Sequence, residues 1–118
     1  MNKILRQLMF FSILFLSSCQ TRFDKAKWNI QTDRVFPPDY RNGMINDLTK
    51  NYKLVGLKYS QLIQLLGTPD GRDGNRIYYN IDLKYAFLSP DPNYSKNLWF
   101  MYSKDSIITS FKVEVWNK

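Results

Sequence analysis

The sequence predicts an α+β fold, with two N-terminal helices packed on a three-stranded antiparallel meander in two layers. Three observations predict it. Apolar residues recur at helical spacing in the middle of the chain and at every second position in its last third. Glycine, proline and a turn-rich link separate the two regimes. With no histidine and one cysteine in 118 residues, no intramolecular disulfide and no His-based or multi-thiolate metal site can hold the domain together. Apolar packing must do it, and 44% hydrophobic with 16% aromatic residues is ample.

The first helix is expected over residues 40–52. Asp39 follows Pro37-Pro38 as a candidate N-cap, and Met44, Ile45, Leu48 and Tyr52 share one face. Gly43 weakens its start. After the break at Gly56 a shorter helix is expected over residues 59–66, with Leu62, Leu65 and Leu66 as its buried stripe and Tyr59 and Ile63 beside it. Gly67 and Pro69 end it. Residues 70–75, rich in Asp and Gly, read as a turn.

Three strands follow, each of period two. Ile77, Tyr79 and Ile81 alternate with Arg76, Tyr78, Asn80 and Asp82. Leu98, Phe100 and Tyr102 alternate with Trp99 and Met101. Ile107, Thr109, Phe111, Val113 and Val115 alternate with Ile108, Ser110, Lys112, Glu114 and Trp116. The short link at residues 103–106 makes the last two a hairpin. Residues 89–93 carry two prolines and are expected as a longer loop outside the central strands.

Ahead of the domain, residues 1–18 read as an export signal. Lys3 and Arg6 give a positive start, no acid precedes Asp24, and residues 8–16 form an apolar run too short to span a bilayer. Leu16-Ser17-Ser18-Cys19 then resembles the bacterial lipobox. That resemblance implies cleavage between Ser18 and Cys19 and a covalent diacylglycerol and acyl anchor on the Cys19 thiol. Two or three acyl chains hold a protein on a bilayer, at about 0.8 kcal/mol per buried methylene. Gln20 rather than Asp at the next position implies, by the same resemblance, the outer membrane, facing the periplasm. Residues 19–38 show no sustained period and are expected as the lipidated cysteine and a tether of roughly 25 Å. Trp28, Val35 and Phe36 are apolar for a tether, which leaves them two fates: docking on the domain or dipping into the membrane interface.

Helix, Gly56-Leu57, short helix with Leu62, Leu65-Leu66-Gly67-Thr68-Pro69, then strands with Tyr79 and Leu98-x-Phe100 resemble the small outer-membrane lipoproteins of the BamE (SmpA/OmlA) type. The resemblance implies that residues 39–118 form a BamE-like domain with a role in envelope assembly. Lys58 stands where that family commonly has Thr, and Ile77 where it commonly has Trp.

No constellation for catalysis is present. Without histidine there is no Ser-His or Cys-His pair, and the lysines and serines offer no Ser-x-x-Lys. Asp70 and Asp73 with Gly71 and Gly74 only faintly suggest a calcium loop and lack its spacing, so an ordinary turn is expected and no metal. The net charge of +7 is scattered rather than clustered, which points to a solvated basic surface, anionic headgroups or an acidic protein before nucleic acid. Tyr78, Trp99, Met101 and Trp116 fall on the strand positions opposite Phe100 and Phe111. If the helices cover one face of the sheet, these four form an exposed patch and the candidate protein-binding surface. The expectation is a non-enzymatic, lipid-anchored envelope lipoprotein with a scaffold or accessory role, meeting a protein partner such as a β-barrel assembly complex. The alternative is an inhibitor or ligand-binding lipoprotein with the β-lactamase-inhibitor type of fold.

Overall fold

The computed structural model describes residues 21–118, so the expected export signal, the expected Ser18–Cys19 cleavage point and the expected lipid attachment at Cys19 lie outside the described residues. Three helices, α1 (Lys25–Trp28), α2 (Arg41–Asn51) and α3 (Tyr59–Leu66), precede four strands: β1 (Gly71–Asp73), β2 (Arg76–Tyr85), β3 (Pro92–Tyr102) and β4 (Ile108–Asn117). The strands form one antiparallel sheet in chain order. The α+β architecture is as the sequence predicts, with one short helix and one short strand more than expected. The extra strand lies in the presumed turn. Gly71–Asp73 doubles back on β2 through Gly74, whose φ of 61° suits glycine. Three residues are too few to show a period.

The helix stripes explain the layer. α2 buries Met44, Ile45 and Leu48, and α3 buries Leu62 and Leu66, against Ile77, Tyr79, Leu98, Phe100 and Ile108 of the sheet. Asp39 does not cap α2. Tyr40 occupies the N-cap with no side-chain bond, and the Asp39 carboxylate accepts from the Thr32 hydroxyl at 2.8 Å. The residues that carry the family resemblance act as joints. Gly56, at a φ of 96°, donates to Ile108 O, and Leu57 O accepts from Ile108 N, both at 2.8 Å, which hooks the helical half onto the start of β4. Gly67, at a φ of 84°, closes α3, and its carbonyl accepts from the buried Tyr79 hydroxyl at 2.8 Å. At Lys58 the backbone N–H is met by Gln61 Oε1 at 2.9 Å, which supplies the returning half of a capping box, while no side chain at 58 accepts from the first turn as Thr would.

Two strand expectations are corrected. β3 begins at Pro92, well before Leu98, because residues 92–97 extend past the helical layer and need no apolar alternation; Pro92 stands first, where a missing N–H costs least. In β4 the pairing shifts between Met101 and Tyr102, so that Thr109 is an extra residue in the ladder. Parity therefore changes at that point: Ile108, not Ile107, is fully buried, while Phe111 and Val113 still lie opposite Phe100 and Leu98.

In the expected tether, the described part folds against the domain. Phe23 N donates to Asp47 Oδ2 at 2.7 Å, Asp24 caps α1 through Lys27 N, and Trp28 is fully buried. Arg41, 2% exposed, locks this segment in place. Its Nε donates to Trp28 O at 3.0 Å, and Nη1 donates to Asp70 Oδ2 at 2.6 Å and Asn80 O at 3.0 Å. The guanidinium also lies 5.0 Å from the Trp28 ring and 5.6 Å from the Tyr79 ring. Of the two fates open to Trp28, the structure shows docking, whereas Val35 and Phe36 stay exposed.

Candidate functional site

The helices lie on one face of the sheet, and strand register decides what the other face shows. Across the strands, Gly71, Tyr78, Trp99 and Lys112 stand side by side; the next row holds Asp73, Arg76, Met101 and Ser110. Tyr78 and Trp99 are half-buried and pack ring against ring at a tilt of 46°, with centroids 4.7 Å apart. The Arg76 guanidinium lies 4.6 Å from the Trp99 ring and pairs with Asp73 at 2.7 Å. A shallow cavity of about 100 Å³ opens between Arg76, Trp99, Met101 and Lys112. Met101 beside it is 40% exposed.

Three of the four sequence-predicted residues, Tyr78, Trp99 and Met101, thus come together. Trp116 shares the face but pairs with Ser95, beyond a polar row of Asn80, Asn97 and Glu114, and stands apart from them. Two residues of the site escaped sequence reasoning. Gly71 leaves the space in which the Tyr78 ring lies, since a Cβ there would collide with that ring. Arg76 read only as a polar alternate of its strand, although Arg beside Trp, Tyr and Met is the composition that protein interfaces favour.

The carboxylates of the supposed calcium turn are engaged otherwise. Asp70 Oδ2 accepts from both Arg41 and Asn80 N, and Asp73 accepts from Arg76. No group of three or more acidic or thiol side chains that could hold a metal occurs among the described residues. Burial pushes the Tyr79 phenol well above its ordinary value, with Tyr59 and Asp70 adding to the rise and Arg41 opposing it, so it serves as a neutral donor. On the opposite, helical face at the same end of the sheet, Arg72 donates to Tyr59 Oη at 2.8 Å and lies near the Tyr59 and Tyr102 rings. None of these groups forms a nucleophile–base pair.

The chain is similar to lipoprotein YfjS of Escherichia coli (strain K12), with 28% identity over an alignment of 116 residues that covers 78% of each chain. The likeness supports a bacterial lipoprotein. No family model matches the chain. No solved structure matches it either.

Proposed function

We propose that this is a non-enzymatic, lipid-anchored lipoprotein of the bacterial outer membrane that acts as an accessory subunit or scaffold in envelope assembly. Cys19 carries the anchor, and the sheet face around Trp99 meets the partner. The partly exposed cluster of Tyr78, Trp99, Met101 and Arg76, on the face the helices leave open, carries this reading. Large aromatics next to Arg, left uncovered by the fold's own helices, are the groups whose burial against a partner contributes most binding energy. The likeness to a lipoprotein supports the anchor, and the BamE-type order of helix, Gly-Leu, helix, Leu-Gly-x-Pro and meander supports assembly as the setting.

A photo-crosslinking side chain placed at Met101 in living cells tests this, with Lys50, exposed on α2, as control. The expected result is an adduct with a component of a β-barrel assembly complex from position 101 and none from 50. Equal labelling at both positions, or none at 101, overturns the interface.

A further inference from the structure

The most exposed large apolar residues of the described chain are not on the aromatic face. They are Phe87 and Leu88, 92% and 87% exposed, at the tip of the β2–β3 hairpin. The tip is a built turn. Ser89 N donates to Ala86 O at 3.1 Å, and the Ser89 hydroxyl bridges to the Asp91 backbone. Leu88 adopts a φ of 60°, a left-handed conformation that an apolar side chain seldom takes. The turn therefore holds two large apolar groups outward in water, where they contribute nothing to the core.

The surrounding side chains suit one medium. Phe36 lies edge-on to Tyr85 at 5.8 Å, Tyr94 follows Pro92 into β3, and Trp116 stands opposite Ser95, all at this end of the sheet. Lys84 Nζ lies 4.8 Å from the Tyr94 ring. An apolar tip collared by Tyr, Trp and Lys is the arrangement that places amphipathic rings at headgroup depth and lets ammonium groups reach water.

The same end receives the first of the described residues. Thr21 lies beside Gly43 in the first turn of α2, and neighbouring Asn42 bonds to Asp82 and Lys96, at the base of the projecting hairpin. Cys19 precedes Thr21 by two residues, a span of no more than about 7 Å. A lipid on Cys19 and the hairpin tip can therefore meet a single membrane plane.

We infer that the hairpin tip is a second membrane contact, with Phe87 and Leu88 entering the interfacial layer of a phospholipid bilayer and fixing the domain's orientation on its anchor. This rests on the lipid-anchor reading, and the experiment separates the two. The lipidated full chain carrying Leu88→Cys, or Lys104→Cys in the opposite β3–β4 turn, is labelled with an environment-sensitive fluorophore and reconstituted into phosphatidylcholine vesicles. The expected result is co-sedimentation of both proteins, with a blue shift and quenching by shallow spin-labelled lipid at position 88 only. Adding Phe87→Ser should abolish that shift. Co-sedimentation with a water-like label at 88 overturns the tip contact and leaves the anchor standing. Failure to co-sediment removes both. As a second readout, the unlipidated chain of residues 20–118, without the apolar signal, should bind the vesicles weakly, and Phe87→Ser with Leu88→Ser should lower that partitioning roughly tenfold; unchanged partitioning counts against the tip.

Discussion

Replacing Asp70 by Ala leaves the Arg41 guanidinium, 3% exposed, without its carboxylate and the Asn80 N–H without an acceptor. A buried charge stripped of its partner is costly, so Asp70→Ala should lose about 2–4 kcal/mol in urea unfolding. Asp73→Ala breaks an ion pair of almost the same length, 2.7 Å, but one open to solvent. It should cost less than about 1 kcal/mol. Equal losses would mean that Arg41 is not the lock described above. Asp47 makes a prediction in pH. The hydrogen bond from Phe23 N, then that from Asn51, hold its carboxyl below the ordinary 3.8. A lowered folded-state value stabilises above the unfolded one, and that stabilisation is lost as pH falls through the folded value. The protection factor of the Phe23 amide, its exchange rate relative to that of the unfolded chain at the same pH, should therefore fall on acidification below 3.8, and Asp47→Asn should remove the step. Tyr79 has the opposite sign. Its raised value favours the neutral phenol, so stability should decline as pH rises above 10.0, a decline that Tyr79→Phe should lack.

The elements differ in how plainly the sequence announced them. α2, α3 and the inward residues of β2 were legible because their periods repeat against a single covered face. Trp28 was not, because α1 has four residues and sits in a segment without a period; only its burial by Arg41 and Tyr79 makes it core. Trp28→Ala should cost about 3–5 kcal/mol, as emptying any full aromatic site does. A loss below about 1 kcal/mol in thermal unfolding would return residues 23–28 to a tether. β1 and the Thr109 bulge were hidden for the same reason: both are set by a neighbouring strand rather than by a local pattern. The candidate site was half legible. Alternation put Tyr78, Trp99, Met101 and Trp116 on one face, but register alone reveals that Trp116 stands apart and that Gly71 makes room for Tyr78. Gly71→Val should therefore displace the Tyr78 ring and weaken any partner held at Trp99, with little change in the rest of the fold; crosslinking from Met101 measures it.

At the scale of the molecule, the proposed attachment at Cys19 and the fold are joined over a short stretch of chain. Phe23 is already bonded to α2, so few residues separate Cys19 from the described domain, and an anchor there would hold the sheet close to the membrane surface. Cys19→Ser should leave the domain folded, with an unchanged far-UV spectrum, yet block lipidation and processing, so that a larger, unlipidated precursor accumulates. Unchanged size and lipid labelling would remove the lipobox reading and with it the setting proposed for the face at Trp99. The aromatic face and the apolar tip should respond separately. Changes at Met101 should affect partner adducts, and changes at Phe87 the depth of the hairpin.

The hook between Gly56 and Ile108 also sets a timetable. A chain is synthesised, and threaded through an export channel, from its first residue to its last. The stripes of α2 and α3 thus emerge before any strand that can cover them, and Leu57 waits for the chain to reach Ile108, near the C-terminus. Contacts so distant in sequence form late and cost loop entropy first. During that interval Met44, Leu48, Leu62 and Leu66 are bare to water. For this protein the vulnerable period is its arrival: a nascent chain in transit is the form that a holding chaperone would recognise and that a protease would cut.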